Sequence, residues 1–148
     1  MSQSLSKIWL HIVFNTKNRQ GSIRPEMQEE LWRYLAATCN ASGCHARRVG
    51  GTVDHVHILC ELARTIPVCD VLEKAKKSSS KWMKTKGVPE FGWQNGYGAF
   101  SIGQSQVRDV VDYICGQGEH HRRRTFQEEY IEFLKKYEID YDPQYVWD

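Results

Sequence analysis

The chain has 148 residues, 41% of them hydrophobic and 26% charged, with a formal charge of only +2. That is the size of one ordinary domain with apolar residues enough for a core, which excludes a disordered chain. No apolar run approaches the ~20 residues of a membrane span, and residues 1–20 lack a signal peptide's apolar core, so a cytoplasmic protein is expected.

Along the chain, Ile8, Leu10, Ile12 and Phe14 alternate with Trp9, His11 and Val13, the pattern of a strand covered on both faces. Residues 15–21 are a polar loop. Pro25 suits the first turn of a helix with Met27, Leu31, Tyr34, Leu35 and Thr38 on one stripe, broken at Ser42-Gly43. Residues 44–49 and 52–62 read as two strands, with Gly50-Gly51 as the expected hairpin turn. Pro67 opens a helix that gathers Val68, Val71, Leu72, Ala75, Ser79, Trp82 and Met83 on one face. Lys74, Lys77, Lys81 and Lys84 gather on the opposite face, with no acidic residue between Lys74 and Lys86. A loop over 87–96 and a short strand over 97–102 follow. Val107, Val110, Val111 and Ile114 then mark a helix. Thr125 and Glu128 form a capping-box pattern ahead of Phe126, Tyr130, Phe133, Leu134 and Tyr137.

The order β-α-β-β-α-β-α-α predicts an α+β fold, a ferredoxin-like antiparallel sheet with helices packed on one face. A single domain over 1–148 is expected, with a C-terminal helical extension at about 119–148. The cysteines at 39, 44, 60, 69 and 115 are odd in number and contain no C-x-x-C pair. They are expected to be reduced, mostly buried thiols. Cys44 beside His45 offers two metal ligands, but no second pair has ligand spacing.

The sharpest local signal is Asp54-His55-Val56-His57. In a strand, residues i and i+2 point to one face, so His55 and His57 project together and can present two imidazoles to a metal. The alternative is a pair of partly exposed strand histidines with no ion, and the motif by itself names no reaction. Tyr113 and Gln117 lie four apart on one helix face, at the edge of the apolar stripe. From the helix alone, Tyr113 reads as a boundary aromatic covering the core rather than as a nucleophile. Together these residues fit one chemistry. A divalent cation on His55, His57 and Gln117 would polarise a phosphodiester, and Tyr113 would be the in-line nucleophile. The phenol needs help to lose its proton, since its ordinary pKa is ~10. The covalent ester conserves bond energy for rejoining, so no nucleotide cofactor is expected.

With these residues in view, the chain resembles the single-tyrosine HUH (histidine–hydrophobic–histidine) transposases of the insertion-sequence-200-like group. The resemblance runs from the first strand to the C-terminal helix. It includes Trp9, His11, Phe14, Thr16, Lys17 and Arg19, then Asp54-His55-Val56-His57, then Phe91, Trp93, Gln94 and the run from Gly96 to Ser101. It continues through Tyr113-Ile114, Gln117, Glu119-His120-His121, Arg123, Thr125 and Phe126. The resemblance implies an HUH-endonuclease-type fold with His55, His57 and Gln117 holding Mg²⁺ or Mn²⁺. It implies attack by Tyr113 on single-stranded DNA, leaving a 5′-phosphotyrosine and a free 3′-hydroxyl. It further implies recognition of hairpins at element ends, a homodimer, and a bacterial-type, nucleoid-associated setting. Gly116 departs from the family, where a polar residue is expected, and predicts that the helix ends or flexes there.

Candidate phosphate contacts are Lys74, Lys77, Lys81 and Lys84, together with Arg47, Arg48 and the run Arg122-Arg123-Arg124. Trp93 and Tyr97 read either as stacking platforms for bases or as anchors of the loop and core. His11 is a weaker candidate for a place behind the metal ligands, and His120 and His121 for ligands themselves. Three other readings stand beside the transposase: a rolling-circle replication initiator, a catalytically inactive or host-recruited hairpin DNA-binding protein, and a hydrolase of small phosphoesters. The short chain and the family-like C-terminal half favour the transposase. The lysine face fits a small-molecule hydrolase poorly.

Overall fold

A computed structural model of the chain describes residues 2–119 and 124–148. Among them, strands β1 (Trp9–Asn15), β2 (Ala46–Gly51), β3 (His55–Glu61) and β4 (Gly98–Ile102) form one sheet in the order β2-β3-β1-β4. Every pairing is antiparallel. This is the α+β, ferredoxin-like arrangement expected from the element order. Alternation along β1 sorts its side chains between two layers. Ile12 and Phe14 enter the core beneath helices α1 (Pro25–Ala41) and α2 (Val68–Thr85), alongside Val56, Ile58 and Cys60 of β3. Met27, Leu31, Leu35 and Cys39 recur every four residues along α1 and are all buried. Val71, Leu72, Ala75, Ser79 and Met83 bury the corresponding stripe of α2.

The helices of the ferredoxin-like unit thus share one face, and the later helices add a layer to the other. There α3 (Val107–Cys115) packs on β2 and β3, with Val107 and Ile114 against Trp9 and Leu59. Helix α4 (Phe126–Lys136) brings Phe126, Tyr130 and Leu134 onto Val13 and Phe100. Its start matches the capping pattern: the Glu128 amide donates to the Thr125 hydroxyl at 3.2 Å. Beyond α4, Val146 and Trp147 join the same cluster. Among the described residues no helix is long and apolar enough to cross a membrane.

The expected hairpin turn is displaced. Gly50 and Gly51 lie inside β2, opposite His57 and Val56, and the chain reverses over residues 52–54 instead. The reason is crowding rather than turn geometry. A Cβ on Gly50 would sit 2.8 Å from Ile114 Cγ2 and 2.9 Å from the Ile114 carbonyl, and one on Gly51 only 2.2 Å from the His55 carbonyl. The glycines therefore allow α3 and the β3 backbone to approach closely. The cysteines are all free: Cys39, Cys44 and Cys60 are buried, Cys69 and Cys115 exposed. Cys44 lies in the core, and its Sγ accepts from the Ala63 amide at 3.4 Å. His45 is exposed, so the pair does not act together.

Candidate functional site

Residues 55 and 57 of β3 project to the α3–α4 side of the sheet, as their two-residue spacing predicts. Both are 1% exposed. Each ring is held through Nδ1. His55 Nδ1 lies 2.8 Å from Asp54 Oδ1 and 3.0 Å from the Thr52 hydroxyl, while His57 Nδ1 is hydrogen-bonded to His11 Nε2 at 2.9 Å. A carboxylate only accepts, so the hydrogen facing Asp54 belongs to Nδ1. In the neutral ring this leaves a lone pair on Nε2. That nitrogen lies 3.0 Å from Gln117 Oε1. The Gln117 amide is oriented by its Nε2, which donates to the Tyr113 carbonyl at 3.2 Å. Helix α3 closes at Cys115, with Gly116 as its cap, so the chain bends where the glycine predicts it. Gln117 is nonetheless buried against His55.

His11 enters this cluster from β1, where it faces Leu59 in the strand register. Its ring stacks on His57 with centroids 5.1 Å apart. Burial lowers its pKa from 6.5 to about 4, which keeps it neutral at physiological pH. Tyr113 of α3 stands edge-on to His57, centroids 5.5 Å apart at 89°. The nucleophile candidate and the histidine pair thus meet within one chain. Burial pushes the Tyr113 phenol well above its ordinary value, and its hydrogen bond to Glu129 adds to the rise. Glu129, on α4, is itself buried and accepts from the Tyr113 hydroxyl. Phe126, at the start of α4, lies flat on His55 at 4.2 Å and 22°. A cleft of about 320 Å³ between Thr52–His55 and Thr125–Gln127 opens beside His55.

Two of these groups carried no assigned part in the sequence reading. Asp54 stood in the histidine motif without a role. Glu129 was missed, although a signal existed: it lies three residues after Phe126 and four before Phe133, a carboxylate set into an apolar stripe.

Among the described residues, no three His, Cys, Asp or Glu side chains are grouped to hold a metal. The arrangement present is a different one, two imidazoles and an amide oxygen. It fits a divalent cation in two respects. Ligand atoms ~2.1 Å from an ion and at right angles stand about 3.0 Å apart, the spacing of His55 Nε2 and Gln117 Oε1. Both rings are also fixed through their other nitrogen, as metal-binding histidines are.

The basic candidates fall into separate places. Lys74, Lys77, Lys81 and Lys84 are all exposed along α2. The first three border a groove of about 440 Å³ against the end of α1, whereas Lys84 borders a second cavity with Lys17 and Trp147. Arg47 and Arg48 are exposed at a bulge in the edge strand β2. Arg122 and Arg123 lie outside the described residues, as do His120 and His121. Trp93 is a core anchor: it meets Phe14 edge-on, and its Nε1 donates to Ser79 Oγ at 2.9 Å. Tyr97 is partly exposed, with the Lys76 ammonium 5.5 Å above its ring. Gln94 clasps the end of β1: its side-chain oxygen accepts from the Asn15 backbone amide at 2.8 Å, and its backbone amide donates to the Asn15 backbone carbonyl at 2.9 Å.

The sequence matches the family model Transposase IS200 like over residues 4–117. The chain belongs to the IS200-like transposase family. Two solved structures share the fold of this transposase. One is a candidate transposase from Deinococcus radiodurans R1, with TM-score 0.62 and 19% identity, covering 79% of this chain and 98% of that one. The other is a REP-associated tyrosine transposase bound to a REP hairpin, with TM-score 0.60 and 16% identity, covering 82% of this chain and 74% of that one. Among curated proteins, a sequence search finds no match. Family membership makes the protein a transposase, an enzyme of DNA cleavage and strand transfer.

Proposed function

We propose that this transposase cleaves and rejoins single-stranded DNA through a covalent bond to Tyr113. The observation that carries the reading is the meeting of Tyr113 with His57, ring to ring at 5.5 Å, beside the 3.0 Å pair of His55 and Gln117. His55, His57 and Gln117 would hold Mg²⁺ or Mn²⁺. When bound, the ion polarises the phosphodiester and offsets negative charge in the transition state. Asp54 and Thr52 orient His55, and His11 orients His57. Phe126 covers His55 and keeps water from that side of the ring.

The Tyr113 oxygen attacks phosphorus, the bond to the 3′-oxygen breaks, and the products are a 5′-phosphotyrosine and a free 3′-hydroxyl. A later 3′-hydroxyl attacking the same phosphorus rejoins the strand and releases the tyrosine. Lys74, Lys77, Lys81 and Lys84, with Arg47, Arg48, Arg122 and Arg123, would bind the phosphates of the DNA and of hairpins at the element ends. The REP hairpin held by the REP-associated neighbour supports that choice of ligand. A homodimer working at the nucleoid completes the reading.

The test is incubation with labelled single-stranded oligonucleotides from the gene's flanks, with Mg²⁺ or Mn²⁺. A denaturant-stable adduct is expected, absent in Tyr113→Phe and with chelator. Cleavage that survives Tyr113→Phe would replace the reading with a hydrolytic nuclease.

A further inference from the structure

Helix α4 places a carboxylate against the nucleophile. Phe126, Tyr130 and Leu134 fix the helix on Val13 and Phe100. Glu129 shares that inward face and is 6% exposed. Burying a carboxylate is costly unless it is hydrogen-bonded, so its position calls for a strong donor. The Tyr113 hydroxyl is such a donor, and it is the hydroxyl that must lose its proton for attack. A neutral phenol is a weak nucleophile, and a base within direct hydrogen-bond reach of its proton meets the geometric requirement for proton transfer. Nearby His57 faces the tyrosine ring to ring and is tied through Nδ1 to His11.

We propose that Glu129 is a catalytic residue, the proton acceptor for Tyr113 during cleavage and the proton donor back to it during rejoining. In cleavage the O–H bond of Tyr113 breaks and its proton passes to Glu129 Oε2. The electron pair left on the phenolic oxygen forms the new bond to phosphorus. The bond to the 3′-oxygen breaks, and that oxygen takes a proton from water. In rejoining, the attacking 3′-hydroxyl gives its proton to water, and the departing phenolate recovers its own proton from Glu129. The inference rests on Tyr113 being the nucleophile.

Single-turnover adduct formation is compared in wild type, Glu129→Gln, Glu129→Asp and Tyr113→Phe, with single-stranded DNA affinity and thermal melting measured alongside. Glu129→Gln should slow adduct formation by about 100-fold or more while DNA affinity changes little. Glu129→Asp, which keeps the carboxylate, should retain more activity. Replacing Tyr113 by 3,5-difluorotyrosine, whose phenol is more acidic, should restore much of the Glu129→Gln loss and alter wild type little. Should Glu129→Gln not melt like wild type, the same rescue is read in Glu129→Asp. Wild-type rates in Glu129→Gln, or a loss that the fluorinated tyrosine does not lift, would show that Glu129 only supports the fold. Absence of any wild-type adduct would instead remove Tyr113 as nucleophile, and this inference with it.

Discussion

His55 and His57 share a sheet face because a strand repeats every two residues, and each ring is held at Nδ1, His55 by Asp54 and His57 by His11. If they hold the proposed cation, removing one imidazole should disable that site while leaving the lysine surface intact. His57→Ala is expected to lose metal-dependent cleavage with hairpin affinity nearly unchanged, measured by gel assay and by titration of labelled hairpin. Undiminished cleavage would remove His57 from the ligand set. Two-residue and four-residue spacings made the histidine pair and the Tyr113–Gln117 pair legible in the sequence. Glu129 and the His11–His57 bond were less so, because each depends on which elements become neighbours in space. A carboxylate inside an apolar stripe marks something unusual, but only the packing of α4 on the Tyr113 side says what it meets.

The four strands and the helices flanking them followed from periodicity, yet the β2–β3 turn was misplaced. Gly50-Gly51 looks like a turn because glycine most often serves backbone freedom. Here it serves close approach, which a one-dimensional pattern does not reveal. This makes Gly50 a control point for the site, since α3 carries Tyr113 and leads into Gln117. Gly50→Ala must push Ile114 outward. It is expected to cost about 1–3 kcal/mol, seen in denaturant unfolding, and to lower adduct formation as well. Unchanged stability would mean that α3 is not seated on that glycine. Along α2, the clean segregation of Lys74, Lys77, Lys81 and Lys84 was legible because polarity alone determined it. Lys77→Gln with Lys81→Gln should reduce the steepness of log affinity against log salt for single-stranded DNA by about 1.4. An unaltered slope would place the DNA elsewhere.

For the whole molecule, two layers of helices enclose the sheet and bury the histidine cluster, with consequences for acid stability. The His11 pKa falls from 6.5 to about 4 on folding. Between those values the unfolded chain binds a proton that the folded chain does not, so stability rises with pH across that window. The contribution is complete above about 6.5 and is lost as pH falls toward 4. From this one group the loss between pH 7 and pH 5 is about 2 kcal/mol, and His11→Gln should show a shallower decline. Thermal melting in chelator at both pH values makes the comparison, and equal declines would contradict it.

If Tyr113 is the nucleophile, it becomes covalently joined to the 5′ side of a cut strand. The most direct measurement of that bond uses oligonucleotides labelled at either end, followed by nuclease trimming of the adduct and peptide mass spectrometry. The expected adduct keeps the 3′-end label, with the residual nucleotide on the peptide containing Tyr113. An adduct that keeps the 5′-end label, a modified residue other than Tyr113, or cut strands with no adduct would contradict it.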